Sequence, residues 1–333
     1  MSIQLIYDDA WDDTIVPFTL QNSDVRGRLA RINKSLCDTL EKHNYPSEVS
    51  NLIAEALLLT VMIGQAIKLR WKLSLQIRGK GPIKLIATDY FSSSNKKNSS
   101  RIRAYANFDS DLLETVSGTD FQKLGQGFFA LLIDQGKGTD PYQGITELSG
   151  NSLADCAEKY FDQSEQLKTS FKIIVGPSKI VGHGSSWRAG GIMLQHMPLR
   201  NKVALDDNNS KETLSPKMNL ISSLSSDNSA ENWSRVNILM DTVEELELVG
   251  PHVGSDELLR RLFHQEALFV FDKKRCIFGC SCSSDKVSSA LSIYSSKDIA
   301  SMTTPEGTVT ADCQFCGEHY IFSPSSFGVN SKS

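Results

Sequence analysis

Four of the seven cysteines in this chain stand in two close pairs near its C-terminal end. One residue separates Cys280 from Cys282, and two separate Cys313 from Cys316. In an extended strand residues two apart point to the same side, so both sulfurs of the first pair can reach one metal ion. The second pair, followed by Gly317, has the spacing of a zinc knuckle. The four thiolates predict a closed tetrahedral zinc site that contributes much of the folding free energy of a small C-terminal unit.

The single-residue spacing of Cys280 and Cys282 has a chemical consequence. Zinc keeps cysteines in the thiolate form, which is the form that peroxide attacks. Two thiolates held side by side are already neighbours for a disulfide if they lose their metal. The spacing therefore suggests, without establishing, a redox-sensitive metal centre.

Length and charge narrow the classes of protein to which the chain can belong. Its 333 residues exceed the usual size of one hydrophobic core, so two or three domains are expected. The net charge of -4 argues against a nucleic-acid-binding protein that relies on bulk positive charge. The N-terminus has no secretory pattern, and the longest apolar run, from Ala56, is too short to span a membrane. We therefore expect a cytoplasmic protein, in which paired cysteines are more often metal ligands or redox centres than structural disulfides.

Periodicity predicts a mixture of helices and strands in the first 198 residues. Apolar residues recur at helical spacing from Ser47 to Lys68. The alternating run from Trp71 turns at Gly81-Pro82 into a second alternating run, which predicts a β-hairpin. Because strands and helices are mixed without regular βαβ alternation, the predicted fold class is α+β. Further predicted elements are strands at 101–108, 128–133, 171–175 and 191–195 and a helix at 153–163.

Composition changes after Pro198. The segment from there to Asn232 is rich in Ser, Asn, Asp and Lys without a convincing period, and it is predicted to be a flexible linker. A helix is predicted next, and Ser255 is a candidate N-cap for another. The apolar stripe of the first of these helices consists of Trp233, Val236, Met240, Val243 and Leu246.

Several stretches resemble a known family. "CSCSSDKVSSAL" and "CQFCGEHYIF", which hold the cysteine pairs, resemble the redox-switch domain of the redox-regulated bacterial holdases of the thirty-three-kilodalton chaperonin (HslO) family. "LLRRLFHQEALFVFD" resembles the segment before that domain, and "YQGITEL", "AGGIMLQHMP" and "LSLQIRGKGPIKLI" resemble the core domain. The resemblance covers almost the whole chain. It implies a mixed α/β core domain at 1–198, a polar and helical linker at 199–270 and a zinc-binding redox-switch domain at 271–333.

The resemblance also implies a function and a site. The zinc ligands of the family correspond here to Cys280, Cys282, Cys313 and Cys316. The reduced, zinc-bound form is expected to be an inactive chaperone, not an enzyme, without catalytic residues. Oxidation is expected to form the disulfides Cys280–Cys282 and Cys313–Cys316, to release zinc and to unfold the switch domain and linker. The exposed apolar surface would then bind unfolded client proteins under stress, without ATP and as a homodimer.

Two other classes of zinc protein are alternatives to this interpretation. His264 and Glu266 match the H-x-E motif of a zinc deaminase, with Cys313 and Cys316 as its second half. That motif has Pro where this chain has Asp312, and it leaves the first cysteine pair without a role. A zinc-ribbon nucleic-acid module is the other alternative, and the acidic charge balance and the lack of a basic, aromatic-rich strand argue against it.

The remaining candidate ligands and nucleophiles have structural interpretations. Cys37 and Cys156 fall in helical stretches and are expected to be small buried residues. Cys276 is expected to be structural, with disulfide exchange as the alternative. His319 is close to the second pair, but four sulfurs already complete a tetrahedral shell. The stretch "GHGSSW" from Gly182 is expected to be a glycine-rich turn and not a hydrolase loop.

Overall fold

A large β-sheet of eleven strands organises most of the molecule. The computed structural model describes residues 11–93, 99–180, 183–197 and 217–327. The strands of this sheet are β1 (Thr14–Leu20), β2 (Val25–Ile32), β3 (Lys72–Gly79), β4 (Ile83–Phe91), β5 (Ser100–Phe108), β6 (Gly127–Asp134), β7 (Tyr142–Glu147), β8 (Thr169–Ile180), β9 (His183–His196), β10 (Leu268–Val270) and β11 (Lys274–Phe278).

Helices pack on the sheet, and a small two-stranded hairpin lies near the C-terminal end. The hairpin consists of β12 (Val309–Asp312) and β13 (His319–Phe322). The α-helices of the described residues are α1 (Lys34–Leu40), α2 (Ser47–Ala66), α3 (Ser110–Thr115), α4 (Leu153–Tyr160), α5 (Lys217–Asp241), α6 (Glu245–Val249), α7 (Ser255–Phe263), α8 (Ser284–Leu291) and α9 (Ser296–Met302).

Strand β11 joins two antiparallel halves of the large sheet. The order of strands is β7-β6-β3-β4-β5-β11-β1-β2-β9-β8, and β10 pairs with β1 further along the edge that β11 uses. β11 pairs in parallel with β5, where Cys276 lies opposite Ser100, and antiparallel with β1, where Arg275 lies opposite Thr14. A mainly antiparallel sheet with helices on its faces confirms the predicted α+β fold class.

The predicted local elements of the first 198 residues are present. The predicted hairpin is β3–β4, and the four other predicted strands are β5, β6, β8 and β9. The predicted helix at 153–163 is α4, which continues into a π-helical turn at Phe161–Glu165. These elements are regular because their apolar residues alternate or recur at the period that each structure requires.

Helix α2 is the central core helix. It begins at Ser47 as predicted and ends at Ala66, two residues before the predicted end. By length and composition it could cross a membrane, since the whole helix is longer than the apolar run from Ala56. However, 78% of its most apolar window is buried inside the molecule, as expected for a helix enclosed by a protein core. The strand residues that share this core include Leu73, Leu75, Ile77, Ile86, Ile102 and Ala104.

Helices α5, α6 and α7, here called the linker helices, cover the opposite face of β1, β2 and β9. Val236 and Met240 of α5 are buried there, together with Leu248 of α6 and Phe263 of α7. The strand residues beneath them form a second apolar cluster, here called the linker-covered face: Val16, Phe18, Leu20, Val25, Leu29, Ile192 and Leu194. The part of the sheet formed by β1, β2 and β9 is therefore sandwiched between the core helix and the linker helices.

Two predictions for the linker are wrong. The segment predicted to be flexible up to Asn232 is helical from Lys217, because Ser and Asn lower helix propensity by only about 0.5 kcal/mol each and do not exclude a helix. The predicted stripe does not lie on one helix. α5 ends at Asp241, so Val243 reaches the apolar cluster from the following loop, and Leu246 is 73% exposed on α6.

The start of α7 also differs from the prediction. Its N-cap is Gly254, and Ser255 is the first helical residue. Ser255 is buried, and its hydroxyl has no hydrogen-bond partner among the described residues, so it cannot act as the cap. Asp256 and Glu257 lie in the first turn, where negative charge is favoured by the helix dipole.

Residues 279–327, here called the C-terminal module, contain α8, α9 and the β12–β13 hairpin. The structure describes all of these residues, and only Ile299, Val309 and Pro324 among them are buried. Such a core is too small to stabilise a fold without help from a metal or from packing on another part of the protein. The boundaries at 198/199 and 270/271 stay predictions, although β11, from the third predicted region, belongs to the large sheet.

The described residues leave out 1–10, 94–98, 181–182, the linker segment 198–216 and 328–333. Gly182, which opens the stretch predicted to be a glycine-rich turn, is therefore not described. The prediction of a turn is wrong for the rest of that stretch, because His183 to Trp187 belong to β9 and pair with β8.

Candidate metal centre

The four predicted ligands come from two loops of the C-terminal module. Cys280 and Cys282 lie between β11 and α8, and Cys313 and Cys316 lie in the turn between β12 and β13. In that turn the backbone N–H groups of Cys316 and Gly317 donate to the Cys313 carbonyl, at 3.3 and 2.8 Å. Gly317 has a φ of +71°, which favours glycine. The knuckle predicted from the second pair is therefore present.

The four sulfur atoms form one cluster, in which all of them lie within 4.8 Å of one another. The Sγ atoms of Cys280 and Cys313 are 3.7 Å apart, and those of Cys282 and Cys316 are 3.4 Å apart. Four sulfurs at about 2.3 Å from a tetrahedral zinc ion would be roughly 3.8 Å apart. The chemistry and spacing of these donors fit a zinc ion.

An arginine of the core sheet contacts this cluster. Arg103 on β5 places Nη1 3.2 Å from the Cys280 sulfur, and its Nη2 pairs with Asp89 Oδ2 at 2.6 Å. Burial opposes ionisation of Cys280, but hydrogen bonds from the Cys282 backbone and from Arg103 outweigh it and lower the pKa of the thiol to about 7. The surroundings of Cys280 therefore favour the thiolate that a metal requires.

The knuckle itself docks on the same strand. Phe315, between the two cysteines of the second pair, lies under the Arg103 guanidinium, whose Cζ is 3.9 Å from the ring centroid. The ring also makes an edge contact with Tyr105, at a centroid distance of 6.3 Å. A cation over an aromatic face is attracted by the ring quadrupole. The cysteine cluster is thus attached to the large sheet through a residue of the loop that holds Cys313 and Cys316.

The other cysteines lie apart from the cluster. Cys276 is buried in β11, where its N–H donates to the Asp13 carbonyl, and burial raises the pKa of its thiol. Cys156 in α4 is fully buried, as predicted, and burial raises its pKa as well. Cys37 in α1 is only half-buried, and the prediction of burial holds for it in part.

The arrangement required by the deaminase alternative does not occur in the described part of the chain. His264 is exposed at the end of α7, while Glu266 is buried and accepts a 2.8 Å hydrogen bond from Arg235. Neither residue belongs to the group that could hold a metal, which consists of the four cysteines. His319 is also outside that group, and its Nδ1 lies 2.6 Å from Asp312 Oδ1.

Known proteins resemble this chain over nearly its whole length. A family model described as Hsp33 protein matches residues 13–323. The chain is 33% identical over 318 residues to the 33 kDa chaperonin of Caulobacter vibrioides, and the alignment covers 94% of this chain and 95% of that relative. It is 34% identical over 306 residues to the 33 kDa chaperonin of Azotobacter vinelandii, with 92% and 90% covered.

A solved structure has the same fold. It is the crystal structure of the 33 kDa chaperonin (heat shock protein 33 homolog) of Thermotoga maritima, which superposes with a TM-score of 0.70 at 19% sequence identity. The superposition covers 95% of this chain and 97% of that one.

Proposed function

Since this chain belongs to the Hsp33 chaperone family, we propose that its four-cysteine cluster is a zinc-dependent redox switch controlling an ATP-independent holdase. Family membership supports the chaperone function, and the redox control is the proposal. The observation that carries it is the combination of four adjacent sulfurs with a module in which only three residues are buried. A fold with so small a core depends on its ligands staying in place.

In the resting form Cys280, Cys282, Cys313 and Cys316 would hold the ion as thiolates. Bound zinc would supply the charge that balances these thiolates and, as in other structural zinc sites, on the order of 10 kcal/mol of folding free energy. Arg103 adds positive charge next to the first sulfur. The ligands remain in the nucleophilic form that peroxide attacks.

Oxidation would close one disulfide within each close pair. One thiolate attacks hydrogen peroxide to give a sulfenic acid and hydroxide, and the second cysteine then displaces water from it to form the disulfide. Each pair loses two electrons, and each peroxide is reduced to two water equivalents. Two close contacts, Cys280 to Cys313 at 3.7 Å and Cys282 to Cys316 at 3.4 Å, run across the pairs, and all four sulfurs lie within 4.8 Å of one another. The proposed pairing Cys280–Cys282 and Cys313–Cys316 therefore rests on the family resemblance and on adjacency in sequence.

Loss of the four ligands would unfold the C-terminal module and weaken the attachment of the strands β10 and β11 that precede it. β10 and β11 connect the module to α7, and both pair with the edge of β1. If these strands lose their anchor, the linker helices can leave the linker-covered face. Exposed apolar area of this kind binds unfolded clients without sequence preference. We expect the active form to be a cytoplasmic homodimer that binds neither nucleic acid nor membranes.

Light scattering of a heat-denatured client tests the proposal. Peroxide with mild heat should convert the zinc-loaded chain from an inert protein into one that suppresses aggregation, without added nucleotide. Reductant with zinc should reverse the change. If the reduced and oxidised forms suppress scattering equally, redox control is wrong.

Two variants provide the controls. Cys280→Ser/Cys282→Ser lacks two ligands, so its module should be unfolded at all times and its activity should no longer respond to peroxide. Cys37→Ser leaves the cluster intact and should switch like the unmodified chain. A double variant that still switches would show that the first pair is not the sensor.

A further inference from the structure

Two buried arginines lie side by side on the face of the sheet that the linker helices cover. Arg31 is on β2 and Arg188 is on β9, and their relative exposures are 1% and 2%. Arg31 lies opposite Gly190 in the register of these neighbouring strands, so Arg188, two residues away, points to the same face. Burial lowers the pKa of Arg31 to about 10, which leaves it charged at neutral pH. A buried guanidinium of this kind needs acceptors.

The main chain of the segment 247–253 supplies these acceptors. Arg31 donates from Nη2, Nε and Nη1 to the carbonyls of Glu247, Leu248 and Val253, at 2.6, 2.9 and 2.7 Å. Arg188 donates from Nε to the carbonyl of Val249 at 3.0 Å. Both guanidiniums therefore bind this segment through backbone carbonyls, and Nη2 of Arg188 also pairs with the buried carboxylate of Asp12.

The floor between the arginines is shaped for a main chain. A Cβ atom placed on Gly190 would lie 2.3 Å from the Leu248 carbonyl oxygen and 2.7 Å from its carbonyl carbon. Glycine is therefore required for the backbone of the segment to approach the strand so closely. Leu29 and Ile192 continue the same face as apolar surface. The site combines four directed donors with an apolar border, as ligand-binding clefts do.

Recognition through carbonyls is independent of side-chain sequence, but it depends on folding. In a folded protein more than nine in ten buried carbonyls are already paired in helices and sheets. Three of the carbonyls bound here belong to the last turn of α6, where a helix leaves its carbonyls unsatisfied. A chain that has lost its structure offers such carbonyls throughout its length.

We propose that Arg31, Arg188 and Gly190 form a binding site for unpaired main-chain carbonyls, which the segment 247–253 occupies at rest and an unfolded client chain occupies when the linker helices leave. The inference rests on the proposed function, since it assumes that oxidation displaces the linker helices. It assigns a part of the client surface that discriminates unfolded from folded chains, in addition to apolar contact. Arg188 keeps its ion pair with Asp12 when the segment leaves, but Arg31 loses the carbonyls of Glu247, Leu248 and Val253. Removing these acceptors from a buried guanidinium is costly, so the emptied site favours a new occupant.

The test displaces the resting occupant without oxidation and keeps the arginines. Gly250 has a φ of +70°, and a Cβ there would lie 3.3 Å from Arg188 Nη2 and 3.4 Å from Arg31 Nη1. Gly250→Ala should therefore dislodge the segment in the reduced, zinc-loaded chain. Gly138→Ala is the matched control, because Gly138 also has a positive φ, of +83°, with no atom within 4 Å of an added Cβ.

The probes are two fluorescent peptides, one with the sequence of residues 244–254 and one with the same composition in scrambled order. Gly250→Ala should bind both peptides with affinities within about threefold of each other, and Gly138→Ala should bind neither appreciably. Adding Arg31→Lys to Gly250→Ala should weaken both at least about tenfold, since lysine keeps the charge but cannot reach three carbonyls. Failure to bind, binding of the native sequence alone, or no effect of Arg31→Lys would overturn the proposal.

A second measurement covers the case in which Gly250→Ala does not fold. The oxidised unmodified chain is mixed with the scrambled peptide carrying a photoreactive group. Cross-links should fall on residues 29–32 and 188–192, and cross-links confined to other regions would overturn the proposal. The outcome is independent of the aggregation assay. If the oxidised chain suppresses scattering but no cross-link falls on these residues, the proposed function holds and this binding site is wrong. If Gly250→Ala binds the peptides but the unmodified chain shows no redox-dependent activity, the binding site holds and the proposed function is wrong.

Discussion

Glu55 is an acidic residue in an unusual position, on the core helix α2. It is half-buried and accepts a hydrogen bond at 3.0 Å from the backbone N–H of Ala154, at the start of α4. Desolvation by burial raises the pKa of the carboxyl to about 7, although the hydrogen bonds from the α4 backbone act in the opposite direction. The carboxyl is therefore neutral in the folded protein over a range in which it is ionised in the unfolded chain.

This shift predicts a pH-dependent contribution to stability. The pKa of Glu55 is about 7 in the folded protein and about 4.5 in the unfolded chain. The contribution of its protonated carboxyl to folding stability is therefore complete below pH 4.5 and is lost as the pH rises through about 7. Glu55→Gln mimics the neutral acid, so at pH 8 it should be more stable than the unmodified chain by about 3 kcal/mol, and this difference should shrink to about 1 kcal/mol at pH 5.5. Urea unfolding at both values measures it. Glu114→Gln, an exposed change on α3, is the control, and an equal effect of both variants would contradict the prediction.

The proposed ligands lead to a second prediction at the same scale. Cys316→Ser should lose nearly all zinc, because three thiolates and a hydroxyl bind it much more weakly and the module has too small a core to preserve the site. Cys156→Ser, in a helix remote from the cluster, should keep one zinc per chain. Native mass spectrometry of the two variants gives the stoichiometry directly. Full zinc retention in Cys316→Ser would remove this residue from the ligand set.

The sequence identified all four cysteines of the cluster but missed Arg103. Thiolates carry their chemistry in their residue type and spacing, so no structure was needed to select them. Arg103 lies 177 positions before the sulfur that it contacts. Alternation in "RIRAY" shows that Arg101 and Arg103 share a face of a strand, but only the fold shows what covers that face.

At the scale of elements, the docking of the knuckle on β5 can be tested by itself. Phe315→Ala keeps all four cysteines and should still bind zinc, but it removes the ring under Arg103. The contact is worth about 1 kcal/mol, so the module should open several-fold more often. Hydrogen exchange in 309–322 of the reduced, zinc-loaded protein should accelerate accordingly. Tyr294→Ala, an exposed aromatic of the same module, should leave it unchanged. Equal exchange in both variants would mean that the ring contact does not hold the module on the sheet.

Strand β1 shows why local patterns missed part of the sheet. Its sequence, "TIVPFTL", contains Pro17, which usually argues against a strand with two neighbours. The Pro17 carbonyl accepts from the Phe271 N–H at 2.9 Å, so this residue faces the edge that β10 and β11 share. The two strands pair with residues 18–20 and 14–15 of β1, and Pro17 lies in the gap between them. The missing N–H of Pro17 therefore removes no hydrogen bond between strands. This depends on where β10 and β11 end on β1, and because they are about 250 residues away in the chain, the local sequence cannot show it.

For the molecule as a whole, the helices on the two faces of the sheet differ in how firmly they are held. The core helix α2 is enclosed, whereas the linker helices depend, in our proposal, on the metal centre beyond them. Oxidation should therefore increase hydrogen exchange in residues 236–263 by orders of magnitude and leave that of 52–63 within about tenfold of its reduced value. Mass spectrometry of both forms makes the comparison. Equal protection of 236–263 in the two forms would show that the linker helices do not depend on the metal centre.

Strand β11 also fixes the order in which the protein can be completed. Its place lies between β5 and β1, which are both made long before it. At about 5–20 residues per second, the roughly 165 residues between β5 and β11 take on the order of 10–30 s to synthesise. During that time the growing chain presents two unpaired strand edges, which are templates for aggregation. The nascent chain is therefore itself prone to aggregation until its last fifth, which contains β11, has left the ribosome. Until then it is a chain of the kind that chaperones protect.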